Sequence, residues 1–182
     1  MSNNEMSKMI ASTDFCKMLG QGVKVIKYSE LEAYNDINQI IPESSGYRII
    51  LIETKPSTGH YVCLIKYNDK SYSYFDSYGL APGQEFKFIS KEMQQILDEN
   101  VHNLNLLLNK LKSEGGNWDY NKMHLQQMQP NINTCGRWCA SMCYFFEQGH
   151  NLKQFQQYFI NWKKSTGLSF DNLVCEFTKK LN

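Results

Sequence analysis

Apolar positions along this chain fall into two rhythms, and the rhythm changes mark the elements. Asp14 to Leu19 suits a short helical turn, and Val23-Lys24-Val25-Ile26 is a brief β-type run. Ser29 with Glu32 three residues on forms a capping-box pattern, predicting a helix through Ile37 and Ile40 that stops near Pro42. Arg48 to Glu53 is a dense β-branched run, the pattern of a buried strand. Tyr61 to Tyr67 and Ser71 to Phe75 flank the polar turn Asn68-Asp69-Lys70, which predicts a hairpin. Helical spacing of Met93, Ile96, Leu97, Val101, Leu104, Leu108 and Leu111 predicts one helix over Ser90 to Lys112, ended by Gly115-Gly116. Trp118 to Leu125 reads as a further strand. Helices from Arg137 to about Gly149, from Leu152 to Lys164 and from Ser169 to Leu181 complete the chain. The sum is an α+β domain with a central, mainly antiparallel sheet flanked by helices.

Its 182 residues suit a single domain spanning 1–182, with a polar, Met-rich first dozen expected to fray. The formal net charge is +1, so no global field points to nucleic acid or a membrane surface. Basic pairs such as Lys163-Lys164 and Lys179-Lys180 read as a solvated helix face. The start Met1-Ser2-Asn3-Asn4-Glu5 lacks the cationic and apolar stretches of a secretory signal. A cytoplasmic, reducing location is therefore expected. The six cysteines, Cys16, Cys63, Cys135, Cys139, Cys143 and Cys175, then read as thiols rather than a disulfide framework.

Among those thiols one is placed for chemistry. Cys135 lies where a loop enters a helix, and exposed N–H groups with the positive end of the helix dipole lower a thiol pKa there. Gly136 beside it is expected to let a substrate carbonyl approach the backbone. Cys139 and Cys143 follow at helical spacing and are simply core-facing. His60 stands just before one hairpin strand and Asp76 just after its partner, so antiparallel pairing brings the two together. Nucleophile, base and orienting acid follow in the order His, Asp, Cys. The loop Gln126-Gln127-Met128-Gln129-Pro130-Asn131 supplies side-chain amides for an oxyanion. His60, Cys135, Cys139 and His150 as zinc ligands make a poor alternative, since they lack metal-site spacing. No metal or cofactor is expected.

Gly59-His60-Tyr61, Tyr74-Phe75-Asp76-Ser77-Tyr78-Gly79, Gln129-Pro130-Asn131 and Thr134-Cys135-Gly136-Arg137-Trp138-Cys139 together resemble the adenain and ubiquitin-like-protease class of cysteine proteases. Similar enzymes occur in adenoviruses, virophages and Polinton-type transposons. The resemblance runs from about Arg48 to Phe146. It implies a papain-like core entered in permuted order. It also implies that His60 is general base, Asp76 the acidic member and Cys135 the nucleophile. Gln129, six residues before the cysteine, takes the oxyanion-hole position with the Cys135 N–H, and Gln127 or Gln126 is the alternative if the loop is registered differently. Tyr61 departs from the tryptophan common after the family's histidine, which bears on the rim of the site.

What the resemblance implies for function is a viral maturation protease that trims capsid or scaffold precursors after small, glycine-type residues. Such an enzyme would act as a monomer on polypeptides, in the viral factory and packaged in the virion. A deconjugating isopeptidase acting on ubiquitin or a ubiquitin-like protein is the rival enzyme reading. A non-catalytic binding domain on the same scaffold is a third.

Overall fold

The computed structural model describes residues 3–98 and 102–181. Two short helices, α1 (Asn3–Ser7) and α2 (Ser12–Leu19), precede strand β1 (Val25–Lys27). A 3-10 turn (Tyr28–Ala33) and α3 (Ile37–Ile40) lead to β2 (Tyr47–Lys55), β3 (Thr58–Asn68) and β4 (Ser71–Phe75). A second 3-10 turn (Gln84–Phe88), α4 (Lys91–Ile96) and α5 (Asn103–Ser113) connect to β5 (Asn117–Tyr120). The chain closes with α6 (Cys135–Glu147), α7 (Leu152–Thr166) and α8 (Phe170–Thr178). Among the described residues no helix is long and apolar enough to cross a membrane.

The strands form a mixed sheet in the order β1-β2-β3-β4-β5. The predicted hairpin is its antiparallel centre, but both edges pair in parallel, β1 with β2 and β4 with β5. The sheet is therefore mixed, with an antiparallel centre that holds most of the paired residues and a short parallel pairing at each edge. A parallel pair needs a long crossover, and the helical segments 28–46 and 76–116 supply one at each edge. Strand alternation then sorts the core into two layers. Tyr61, Cys63, Ile65 and Phe75 face α2, α6, α7 and α8, where Trp138 is fully buried among Phe155, Phe159 and Phe170. Val62, Leu64, Tyr72 and Tyr74 face α5 and the residues around α3.

Two predicted helices prove to be broken. The helix expected from Ser29 to Pro42 is a 3-10 turn followed by the separate α3. Glu30 rather than Glu32 closes the first turn, accepting from the Lys27 N–H at 2.6 Å. Asp36 then starts α3 afresh by accepting from the Asn38 N–H at 2.8 Å. The helix expected over Ser90 to Lys112 is α4 and α5. Ser90 caps α4, Asp98 takes a left-handed φ of 57° that ends the turn, and α5 begins only at Asn103. Val101 lies outside the described residues. The strand expected from Trp118 to Leu125 stops at Tyr120, because the Asn121 side chain turns the chain by donating to the Met123 carbonyl at 2.9 Å.

Candidate active site

The hairpin register determines which residues meet at its open end. Cys63 pairs with Phe75 as the last rung between β3 and β4, and β3 runs on alone beside β2. His60 is thus inside β3, opposite Ile52, rather than before the strand as expected. The extension comes from β2, whose nine residues hold β3 past the end of β4. Asp76 is the first residue beyond β4, and its Oδ1 lies 3.1 Å from His60 Nε2. The N–H is not aimed squarely at that oxygen, since His60 Nε2 and Asp76 Oδ2 both lack a well-formed hydrogen bond.

Asp76 is completely buried and held from several sides. Its Oδ1 accepts the Tyr78 N–H at 2.6 Å, and its carbonyl accepts from the Asn121 amide at 2.6 Å. The Tyr78 ring stacks on the His60 imidazole with centroids 4.6 Å apart and planes at 18°. Carboxylate and ring together leave His60 little rotational freedom.

Cys135 is the first residue of α6, two residues earlier than the predicted helix start, and its side chain meets His60. With Nε2 turned to Asp76, Nδ1 is the ring nitrogen left for the thiol. Burial disfavours charge on both partners, and neighbours reverse that. The Cys135 thiol is lowered from the ordinary cysteine value: burial raises it, but the His60 hydrogen bond and charge and the backbone at Tyr61 and Gly136 outweigh burial. Burial also opposes the imidazolium, yet the charge and hydrogen bond of Asp76 and the contact with Cys135 bring His60 up to about 10. Both directions favour a thiolate–imidazolium pair over the neutral thiol and imidazole.

Two cavities meet at Cys135. One, of about 720 Å³, is lined by His60, Tyr78, Gln129, Met128 and Phe88; the other, of about 480 Å³, by Met9, Ile10, Thr58, Tyr61 and Gly136. Both share Gly59, Asn133 and Cys135. Gly136 does not serve as the open approach expected of it. It is buried, and an added Cβ would collide with the Ile10 side chain and stand 3.2 Å from the Tyr61 ring. Glycine is required there because the N-terminal segment packs on it.

Of the three glutamines, Gln126 is buried and spent. Its Oε1 accepts from the Ser77 hydroxyl at 2.8 Å, and its Nε2 donates to Tyr78 Oη at 3.2 Å and the Ile132 carbonyl at 3.0 Å. Gln127 is exposed and does not line the cleft beside Cys135, whereas Gln129 is exposed and lines it. His150 follows the far end of the helix that Cys135 begins and rests against the Phe145 ring, so the four imagined zinc ligands do not converge.

No family model matches the sequence. The uncharacterized protein V9 of Sputnik virophage is 32% identical over 131 residues, covering 72% of this chain and 73% of that protein. The chain belongs to the family of Sputnik virophage V9. Of solved structures, the central domain of the uncharacterized Lpg1148 protein from Legionella pneumophila aligns over 96% of this chain and 98% of its own. At 16% identity and a TM-score of 0.41, that likeness carries no fold assignment.

Residues with a part in this site that sequence reasoning left unassigned are Tyr78 and Asn121. Tyr78 carried a signal, two residues beyond Asp76 inside a tyrosine- and glycine-bearing turn. Asn121 carried none: forty-five residues separate it from Asp76, and only the parallel pairing of β5 with β4 brings it there.

Proposed function

We propose that the chain is a cysteine endopeptidase on a permuted papain-like scaffold, acting on precursor proteins of a virus particle. The observation that carries this reading is the meeting of His60, Asp76 and Cys135, drawn from β3, the end of β4 and the start of α6, at an open cleft. A thiol that only fills the core has no use for an oriented imidazole and two adjoining cavities.

The Cys135 thiolate attacks a peptide carbonyl carbon, forming a C–S bond while the carbonyl oxygen becomes an oxyanion. The Cys135 N–H and the Gln129 amide meet that charge, and losing one such donor costs about 2.7–4 kcal/mol. On collapse the C–N bond breaks, and His60 gives its proton to the departing amine. Water, deprotonated by His60, hydrolyses the thioester and returns the thiolate. Cleavage after glycine-type residues follows from the class resemblance, and the virophage relative favours virion maturation over deconjugation.

The decisive experiment is co-expression with the virion structural proteins, reading new N-termini by mass spectrometry beside a Cys135→Ala control. New termini that follow small residues and vanish in the control support maturation. Identical termini with Cys135→Ala remove the nucleophile assignment. Efficient release of a fluorogenic tag from the C-terminus of ubiquitin or SUMO would favour the isopeptidase instead.

A further inference from the structure

The segment 127–134 carries Gln129 and ends at Cys135, and its tip, residues 127–131, is exposed. An exposed loop of this kind holds a donor in place only if its ends are fixed. Asp171 fixes both. This side chain in the first turn of α8 is completely buried. Its Oδ2 accepts the Gln127 N–H at 3.1 Å, and its Oδ1 accepts the Thr134 hydroxyl at 2.5 Å. One carboxylate therefore joins the two ends of the loop, seven residues apart in sequence.

An acidic residue in a first helical turn ordinarily faces its own helix dipole from the surface. Asp171 departs from that habit. It points inward, with each oxygen engaged by the loop rather than by the amides of α8, whose cap is Ser169. The Trp138 indole N–H, otherwise unpartnered, leans toward the same carboxylate. Other bonds support the loop between its ends: Ile132 N–H to the Gln129 carbonyl at 3.0 Å, and Asn133 N–H to the Met6 carbonyl at 2.7 Å. The Gln126 side chain also reaches across to the Ile132 carbonyl at 3.0 Å, but only Asp171 joins the loop's two ends.

The geometry points to Asp171 as a positioning residue that closes the oxyanion loop, acting on catalysis through Gln129 without touching substrate. What the loop does rests on the peptidase reading above. What holds the loop rests on hydrogen bonds alone. Removing the clamp should therefore disturb transition-state stabilisation while sparing the Cys135–His60 pair, since β3 holds His60 and the Trp138 backbone N–H still ties the Thr134 carbonyl to α6 at 3.0 Å.

The test compares Asp171→Ala, Asp171→Asn and Thr134→Val with wild type, measuring peptide turnover, iodoacetamide labelling of Cys135 and amide hydrogen exchange over residues 128–133. Asp171→Ala should lower kcat about tenfold or more with KM within about twofold, as loss of an oxyanion interaction does. Cys135 labelling should stay within about twofold, and exchange in the loop should rise about tenfold. Asp171→Asn should recover most of the turnover, since its amide can still accept from Gln127 and donate to the Thr134 hydroxyl. Thr134→Val removes one arm only and should fall between; it serves if Asp171→Ala does not fold. Unchanged kcat, or labelling that falls in step with kcat, overturns the assignment. Should wild type cleave no peptide, the peptidase reading fails on its own, and loop exchange alone decides the clamp: unchanged exchange in Asp171→Ala, or in Thr134→Val, overturns it.

Discussion

Three cysteines on α6, Cys135, Cys139 and Cys143, lie four residues apart on one helix face, yet they occupy opposite chemical worlds. Cys135 opens the helix at the cleft, where His60 and the local backbone draw its pKa down. Cys139 and Cys143 are fully buried beside Cys63 under the sheet, and burial holds both well above the ordinary thiol value. Residue type and spacing are identical, so the difference is one of surroundings. A thiol becomes a nucleophile when its ion is solvated by protein dipoles and a partner charge, and one or two helical turns inward none of that remains.

The largest effect expected at this contrast comes from the cleft. Cys135→Ala should abolish peptide cleavage while Cys139→Ala retains it, and a cleavage assay on both variants checks this directly. Next comes labelling: at pH 7 iodoacetamide should modify Cys135 about a hundredfold faster than Cys139 or Cys143, and His60→Ala should erase most of that lead. Equal rates at all three, read by peptide mapping, would dissolve the contrast. The pH dependence has a definite sign. Cys135 ionises below the usual thiol value, so its labelling rate should decline toward acid with a midpoint lower than that of an ordinary cysteine. With His60 at about 10, the imidazolium that pairs with the thiolate is lost only above that pH, so pair-dependent turnover should fall on that alkaline side. Asp76→Asn should leave turnover reduced yet clearly above Cys135→Ala, since it removes the orienting charge and spares the nucleophile.

Smaller effects belong to packing. Gly136→Ala should cost about 1–3 kcal/mol by forcing Ile10 off the helix start. Cys143→Ala should cost about 1 kcal/mol, seen as a melting shift of about 2–4 °C, with labelling of Cys135 unchanged.

Much of this arrangement is legible in local pattern. A hairpin with a two-ended pair is a short-range feature, so His60 and Asp76 could be joined from the sequence, and the loop-to-helix step singled out Cys135. What escaped was set by distant partners. The extension of β3 past β4 is imposed by β2, which moved His60 into a strand. The parallel edges depend on crossovers that leave no local mark, and with them went Asn121. The breaks at Asp36 and Asp98 lie inside continuous helical spacing, where a cap or a left-handed residue outweighed periodicity. Gly136 was read as an opening toward substrate because nothing nearby in sequence announces Ile10, more than a hundred residues away.

That packing of the N-terminal segment has a consequence in time. Met6 and Ser7 offer their carbonyls to Asn133, Glu5 pairs with Arg137 at 3.2 Å, and Ile10 covers Gly136. Each contact joins residues about 125 or more apart in sequence, among the longest loops this fold must close. Residues that leave the ribosome early can settle only after α6 has been synthesised and docked. One wall of the smaller cavity is thus expected to form late in folding, so the chain acquires its sheet before it acquires a finished cleft.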